Sequence, residues 1–256
     1  MIVEKLKHIE KNIAIKYSPL IDLSTQNFED VYSHIVKNSN NELNFFWIGR
    51  REYKNTWDLQ SRIQEKVKEN VLNGIVLLLE HDPVYTIGKN ADESNLLPSI
   101  PANIKVVQTD RGGDVTYHGP GQLVGYPIID LRKYNKSIPA FMRGLETSCI
   151  ELLSQLGIFA GTKEGLTGVW VDDKKIVALG VRLSRWVSMH GFAINVSTDI
   201  QQYRGIIPCG ISDYGITSIE RLKSTDYSLY EISLLLVQYL TDMISSLGRG
   251  TINVKV

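Results

Sequence analysis

The sequence predicts an α+β fold, a mixed and largely antiparallel sheet with flanking helices. Three observations lead there. Short apolar runs of strand length are numerous, and several are joined by short turns. Extended and helical stretches do not alternate regularly, which disfavours a doubly wound parallel sheet. Three longer stretches carry apolar residues at helical spacing and could cover a sheet face.

Residues 1 to about 40 are polar and weakly patterned, with Asn38, Asn40 and Asn41 near the end. They read as an N-terminal extension, 1–42, holding one short helix from Phe28 to Val36. The folded domain, 43–256, opens at Leu43, and Asn44 to Ile48 is aromatic and β-branched, as strands prefer. From Glu52 to Asn73, Trp57, Ile63, Val67 and Val71 fall near one helical face, and Gly74 suits the residue after a helix end. Ile75 to Leu79 is a buried strand broken by His81-Asp82-Pro83, followed by short strands at Val84 to Ile87 and Lys105 to Thr109. Leu123 to Leu131 returns to strand composition. Ile138 to Leu156 is an amphipathic helix closed by Gly157. Strands follow at Gly168 to Val171, Ile176 to Leu183 and Val187 to Val196, with a turn at Asp172-Asp173-Lys174. Tyr227 to Leu247 is the last helix.

Composition narrows the function classes. Among 256 residues, 28 Lys and Arg balance 28 Asp and Glu, so the bulk basic footprint of a nucleic-acid binder is absent. No apolar run approaches the roughly 20 residues of a membrane span. The two cysteines, Cys149 and Cys209, cannot build a disulfide framework, and they point to a reducing compartment. The N-terminus has neither a signal core nor transit-peptide composition. The expected location is the cytoplasm, or an organelle for an imported mature form.

The densest segment is Arg111-Gly112-Gly113-Asp114-Val115-Thr116-Tyr117-His118-Gly119-Pro120-Gly121-Gln122. Its glycines weaken a strand but allow left-handed backbone or close approach of a ligand. Arg, Thr, Tyr and His add hydrogen-bond donors, so a binding loop is favoured over a long turn with a structural His118. It matches neither phosphate-loop nor dinucleotide-binding spacing. Cys209 sits between Pro208 and Gly210 in a sharp turn suited to exposing a thiol, which becomes a nucleophile once its pKa is lowered. Cys149, amid Leu145, Ile150, Leu152 and Leu153, reads as core. Lys175 opens an apolar strand; it is either solvated or desolvated in a pocket and able to act as a base. Local sequence leaves both open. His81, His118 and His190 fit no compact metal motif, and no metal site is expected.

The run from Arg111 to Tyr126 resembles the signature of lipoyl(octanoyl) transferases, of the biotin and lipoate protein ligase superfamily. So do Glu80 to Gly88, Lys175 to Arg182, Met189 to Val196, and Ile207-Pro208-Cys209-Gly210. The resemblance spans roughly residues 44 to 247. It implies the ligase-like fold and acyl transfer from octanoyl–acyl carrier protein through a Cys209 thioester to a lipoyl-domain lysine. Lys175 would take the thiol proton, or pair with the thiolate and so lower its pKa. The acceptors would be lipoyl domains of 2-oxoacid dehydrogenase E2 subunits and the glycine cleavage H protein. No cofactor and no ATP are implied.

By the same resemblance, Arg111, Gly112, Gly113, Asp114, Val115, Thr116, Tyr117 and His118 would line the acyl pocket. Ala178, Leu179, Gly180, Gly191, Phe192 and Ala193 would form its other walls. Backbone N–H groups near Cys209 and Gly210 are candidates for holding the oxyanion. Such carriers are acidic, and Lys133, Lys136, Arg143, Lys174, Arg182 and Arg185 are candidates for a docking face, with an ordinary charged surface as the alternative. Three rival readings stand beside transfer: an ATP-dependent lipoate–protein ligase, a non-enzymatic carrier-binding module, and a Cys–His thiol hydrolase.

Overall fold

Successive side chains of a strand face opposite ways, and in this chain the central strands are apolar on both sides. The computed structural model describes residues 19–40, 42–207, 214–223 and 227–247. In chain order its elements are β1 (Leu20–Asp22), α1 (Phe28–Asn38), β2 (Leu43–Arg51), α2 (Tyr53–Lys68), β3 (Gly74–His81), β4 (Val84–Ile87) and β5 (Lys105–Gln108). They continue as β6 (Thr116–His118), β7 (Gln122–Ile129), α3 (Ile138–Gln155), β8 (Gly161–Lys163), β9 (Leu166–Val171), β10 (Lys174–Ser184) and β11 (Val187–Asn195). The last are β12 (Gly215–Ile216), α4 (Ile219–Leu222) and α5 (Leu229–Leu247).

Among the described residues the main sheet runs β1-β2-β3-β7-β11-β10-β9-β8, and β12 pairs with β10. β1, β2 and β3 run parallel, while the pairs from β3 through β8 are antiparallel. A smaller sheet has the order β5-β4-β6. This is the mixed, mostly antiparallel α+β arrangement that the sequence predicts.

Alternation builds two cores. Phe45 and Trp47 of β2 and Val76 and Leu78 of β3 face α3 and α5, where Phe141, Leu145, Leu152, Leu236, Leu240 and Ile244 close over them. Their neighbours Phe46, Ile48, Ile75, Leu77 and Leu79 face α1 and α2, against Val31, Ile35, Leu59, Ile63 and Val67. Each fully buried aliphatic contributes about 1.5–3 kcal/mol. Truncating Leu240 at the centre of α5 to Ala should cost about 2–5 kcal/mol.

Local signals set the helix ends. Glu52 caps α2 by accepting from Asn55 N at 2.9 Å, and Ser137 caps α3 by accepting from Ala140 N at 3.2 Å. Ser228 and Glu231 bond reciprocally at the start of α5, a capping box.

Three sequence expectations change. The folded body takes in residues assigned to the extension. β1 pairs in register with Phe45 to Trp47, and Val31 and Ile35 of α1 are fully buried. Two apolar residues four apart suffice to seat one amphipathic turn, even in a polar stretch. α2 stops at Lys68, short of Asn73, with Asn70 in the left-handed region (φ 59°), so Val71 is exposed instead of lying on the buried face. The glycine-rich segment contains strand β6, paired with β4.

Candidate active site

A cavity of about 530 Å³ opens between β10 and β11 on one side and the Arg111–Thr116 loop on the other. Every residue the sequence proposed for the acyl pocket lines it except Tyr117. The exception follows from strand alternation: in β6, Thr116 and His118 face the cavity and Tyr117 faces away. There it packs 5.4 Å from the Tyr85 ring and 5.6 Å from the Tyr203 ring, and burial raises its pKa to about 12. Tyr117 therefore belongs to the aromatic core beneath the small sheet.

The wall is narrow because it lacks side chains. A Cβ on Gly180 would lie 2.6 Å from Gly112 O, and one on Gly191 would overlap the Gly125 carbonyl across the β7–β11 pair. Backbone thus forms part of the lining, a slot suited to a linear apolar chain.

Arg111 organises the loop. Its guanidinium donates to Thr86 O at 2.7 Å, to Thr86 Oγ1 at 2.9 Å, to Asp114 O at 2.6 Å and to its neighbour's carbonyl, Gly112 O, at 3.0 Å. Asp114 in turn accepts from Asn95 Nδ2 at 2.7 Å and from Val115 N at 2.7 Å. The loop is held by charge-assisted bonds to carbonyls, which sit at the strong end of the hydrogen-bond range.

His118 is held neutral. Its Nδ1 is 2.7 Å from Gln122 Oε1, and the two hydrogens of Gln122 Nε2 are shared among Tyr117 O, Asn195 Oδ1 and Tyr203 OH at 2.9–3.1 Å. An amide oxygen only accepts, so Nδ1 carries the hydrogen and Nε2 is left as the acceptor. Burial, then the nearby His81, drive its pKa well below 6.5. The Tyr53 ring stacks on it at 5.9 Å.

Lys175 also lines the cavity and is buried, 6% exposed. Its Nζ lies 4.7 Å from the centroid of the Trp170 ring. β12 is stitched beside it: Gly215 N donates to Asp173 O and Thr217 N to Lys175 O, both at 3.0 Å. Cys209 lies outside the described residues, as does the proposed oxyanion site. The chain on either side reaches the cavity, since Tyr203 and Ile216 both line it. Cys149 is fully buried in α3, and burial pushes its thiol pKa up, which removes it as a nucleophile.

Sequence reasoning missed His190, Tyr53, Tyr126 and Asn195 in the cavity wall. His190 stands in β11 with φ 60° and bonds Asp110 Oδ1 through Nε2 at 2.8 Å. Asp110 also pairs with Arg182. Burial lowers the His190 pKa, with Asp110 opposing it. Burial also pushes Asp110 upward, but the His190 bond and the His190 and Arg182 charges outweigh it, and its pKa is lowered. His190 and Asn195 lie inside the Met189 to Val196 block, but the left-handed backbone at His190 that sets its aim is not visible to periodicity.

The suggested basic face does not assemble as one patch. Lys174 begins β10 and Arg185 follows its end, so at about 3.3 Å per residue they stand about 36 Å apart. Arg143, Arg182 and Arg185 are paired with Glu146, Asp110 and Glu65. Among the described residues no His, Cys, Asp and Glu cluster could hold a metal, and no helix is long and apolar enough to cross a membrane.

Comparison with known proteins agrees with this architecture. Residues 52–241 match the family model of the lipoyl protein ligase A/B catalytic domain. An octanoyltransferase of Cytophaga hutchinsonii is 40% identical over 228 residues, covering 80% of this chain and 93% of that protein. One from Solibacter usitatus is 47% identical over 169 residues, covering 64% and 77%. A crystal structure of lipoate-protein ligase A bound with ATP superposes with a TM-score of 0.60 at 15% identity, covering 80% of this chain and 86% of that one. Biotin protein ligase from Aquifex aeolicus, in complex with biotin and ATP, gives 0.52 at 17% identity, covering 83% and 74%. The family model covers well over half of the sequence, and the chain belongs to the lipoyl protein ligase A/B catalytic-domain family.

Proposed function

We propose that the protein is an octanoyltransferase that moves an octanoyl group from acyl carrier protein to the lysine amine of a lipoyl domain through a Cys209 thioester. The observation that carries the reading is a buried lysine in the wall of a slot lined by small residues. It is joined to the relatives' shared name at 40–47% identity.

Lys175 accepts the Cys209 thiol proton, and Sγ attacks the thioester carbonyl of the donor. The carrier thiolate leaves and takes a proton from Lys175. In the second half, the acceptor lysine nitrogen attacks the octanoyl–Cys209 carbonyl. The C–N bond forms, the C–S bond breaks, and Cys209 recovers a proton through Lys175. The position of β12 supports this pairing, because the chain resumes after residues 208–213 hydrogen-bonded alongside Lys174 and Lys175. The octanoyl chain occupies the slot between Ala178 to Gly180 and Gly191 to Ala193, gaining about 0.8 kcal/mol per buried CH₂. The acceptors are lipoyl domains of 2-oxoacid dehydrogenase E2 subunits and the glycine cleavage H protein.

The ATP-dependent ligase reading draws on a likeness of fold at 15% identity. A nucleophilic cysteine is superfluous to it. Intact mass after incubation with octanoyl–acyl carrier protein, without ATP, separates the two. Transfer predicts one added octanoyl group, lost in Cys209→Ala and chased onto a lipoyl-domain lysine. A folded protein that forms no adduct and transfers nothing refutes it. In Lys175→Met, acylation should slow by at least a hundredfold.

A further inference from the structure

The seat of Lys175 is built from residues that neither the motif blocks nor the family resemblance assign. We propose that Trp170 is the positioning residue for Lys175, its indole face seating at the cavity wall the amine and the ammonium it becomes on taking the Cys209 proton. The catalytic part of this inference rests on the acyl-transfer reading above.

Four features of the backbone put the two side chains together. Trp170 and Lys175 are direct partners in the β9–β10 register, so both point to the same face of the sheet. The register then shifts between Lys175 and Val177, which pairs with Val169, so β10 carries one extra residue. Bulges of this kind re-aim a side chain. Gly168 leaves a notch for the lysine stem. A Cβ there would come within 3.1 Å of Lys175 Cε and 2.8 Å of Val177 O, and its φ of 127° suits glycine alone. Glu146 fixes that notch from α3 by accepting from Gly168 N at 3.0 Å, while its other carboxylate oxygen pairs with Arg143 at 3.1 Å.

The ring is suited to the task. Lys175 Nζ lies 4.7 Å from the Trp170 centroid, well inside the roughly 6 Å reach of a cation–π contact, and tryptophan offers the strongest face for one. The indole is braced edge-on by Tyr214 at 5.3 Å. A second ammonium, Lys163 Nζ, sits 4.8 Å from the Tyr214 ring and is tied to Asp173 at 2.6 Å. The Trp170 Nε1–H has no hydrogen-bond partner among the described residues. The contacts the ring makes there are thus made by its carbon framework and faces.

The test compares Trp170→Phe, which keeps an aromatic face, with Trp170→Leu, which keeps an apolar side chain without one. The first readout needs no turnover. In protein labelled with ¹³C-lysine, the Lys175 Hε resonances, assigned with Lys175→Arg, should be shifted upfield by the ring current. The shift should survive in Trp170→Phe and vanish in Trp170→Leu. The second readout is single-turnover acylation of Cys209. Trp170→Leu should acylate about tenfold more slowly than Trp170→Phe at saturating donor, with KM within twofold and equal unfolding midpoints. An unshifted Lys175 in the wild type overturns the seat, whether or not the enzyme acylates, and needs neither Trp170 variant to fold. Equal acylation by the two variants, or a loss in KM alone, overturns the positioning role. If the wild type shows the upfield shift but forms no acyl-enzyme, the acyl-transfer reading fails and the catalytic role of the seat fails with it.

Discussion

Acidification should weaken this protein through one buried ring, that of His81. Its Nδ1 lies 2.9 Å from Arg51 O, and its Nε2 lies 2.7 Å from the Tyr126 hydroxyl. A carbonyl only accepts, so Nδ1 carries the hydrogen and Tyr126 donates to Nε2. The neutral ring is fully satisfied, and a second proton would have to turn the buried Tyr126 hydroxyl from donor to acceptor. Burial is the main cause that lowers its pKa from 6.5 to about 4; the Arg51 carbonyl, Asp82 and Glu52 oppose it. Tyr53 and His118 face the same ring at 5.1 and 5.8 Å. Below pH 6.5 the unfolded chain binds a proton here that the folded chain refuses. Stability is therefore whole above about pH 6.5, declines as pH falls, and is fully lost from this group below about pH 4. At about 1.4 kcal/mol per pH unit, the full loss is about 3 kcal/mol, and about 2 kcal/mol is gone by pH 5. That is a large share of an ordinary folding free energy of about 5–15 kcal/mol. Urea unfolding at pH 7.5 and 5.0 measures it. His118 and His190 are lowered in the same direction, so the wild-type loss should reach at least about 2 kcal/mol. His81→Gln should be less stable at pH 7.5 yet lose about 2 kcal/mol less on acidification. A wild-type stability unchanged between the two pH values, or a variant with the full slope, would refute the reasoning.

Other outcomes follow from the same geometry. Gly191→Ala drives a methyl into the Gly125 carbonyl on the neighbouring strand. It should cost about 1–3 kcal/mol or more by thermal unfolding and cut octanoyl transfer by narrowing the slot. Asp110→Asn removes the carboxylate that opposes burial at His190, so the His190 pKa should fall further still, as read from its ring resonances during titration. A donor series of increasing chain length should raise kcat/KM about fourfold per added CH₂, from about 0.8 kcal/mol each, until the slot is full. A flat series would remove the slot from the account of selectivity.

Part of the cavity was legible because its residues are poor choices for a strand interior, and part only through the family resemblance. Ala178 to Gly180 and Gly191 to Ala193 entered by resemblance alone, whereas Arg111 to His118 combines glycine with polar side chains where packing would favour larger apolar ones. That contradiction between local composition and burial marks a site. What stayed hidden obeys ordinary rules. Tyr53 opens a regular helix and Tyr126 sits within a strand, so both look like core until the tertiary arrangement turns them toward the cavity. Tyr117 shares a motif with Thr116 and His118, yet strand alternation sends it to the other face. The small helix α1 was readable as a helix, but its attachment to the sheet was not. Register between β1 and β2 is a long-range choice that weak local pattern cannot state.

The way β12 meets β10 sets how the molecule opens. Gly74 to Leu79 of β3 and Val124 to Ile129 of β7 are buried and paired with each other, so their amides should exchange with deuterium only through global unfolding. β11 pairs with β10 from Val177 onward, and the two-residue β12 takes over beside Lys174 and Lys175. At Lys175 the strand is therefore paired on both edges, with β9 on one and β12 on the other, and Ile176 and Val177 are fully buried. Beyond Val177 its strand pairing among the described residues is with β11 alone and it is half-buried, so protection should fall along β10 from its Lys175 end toward Ser184.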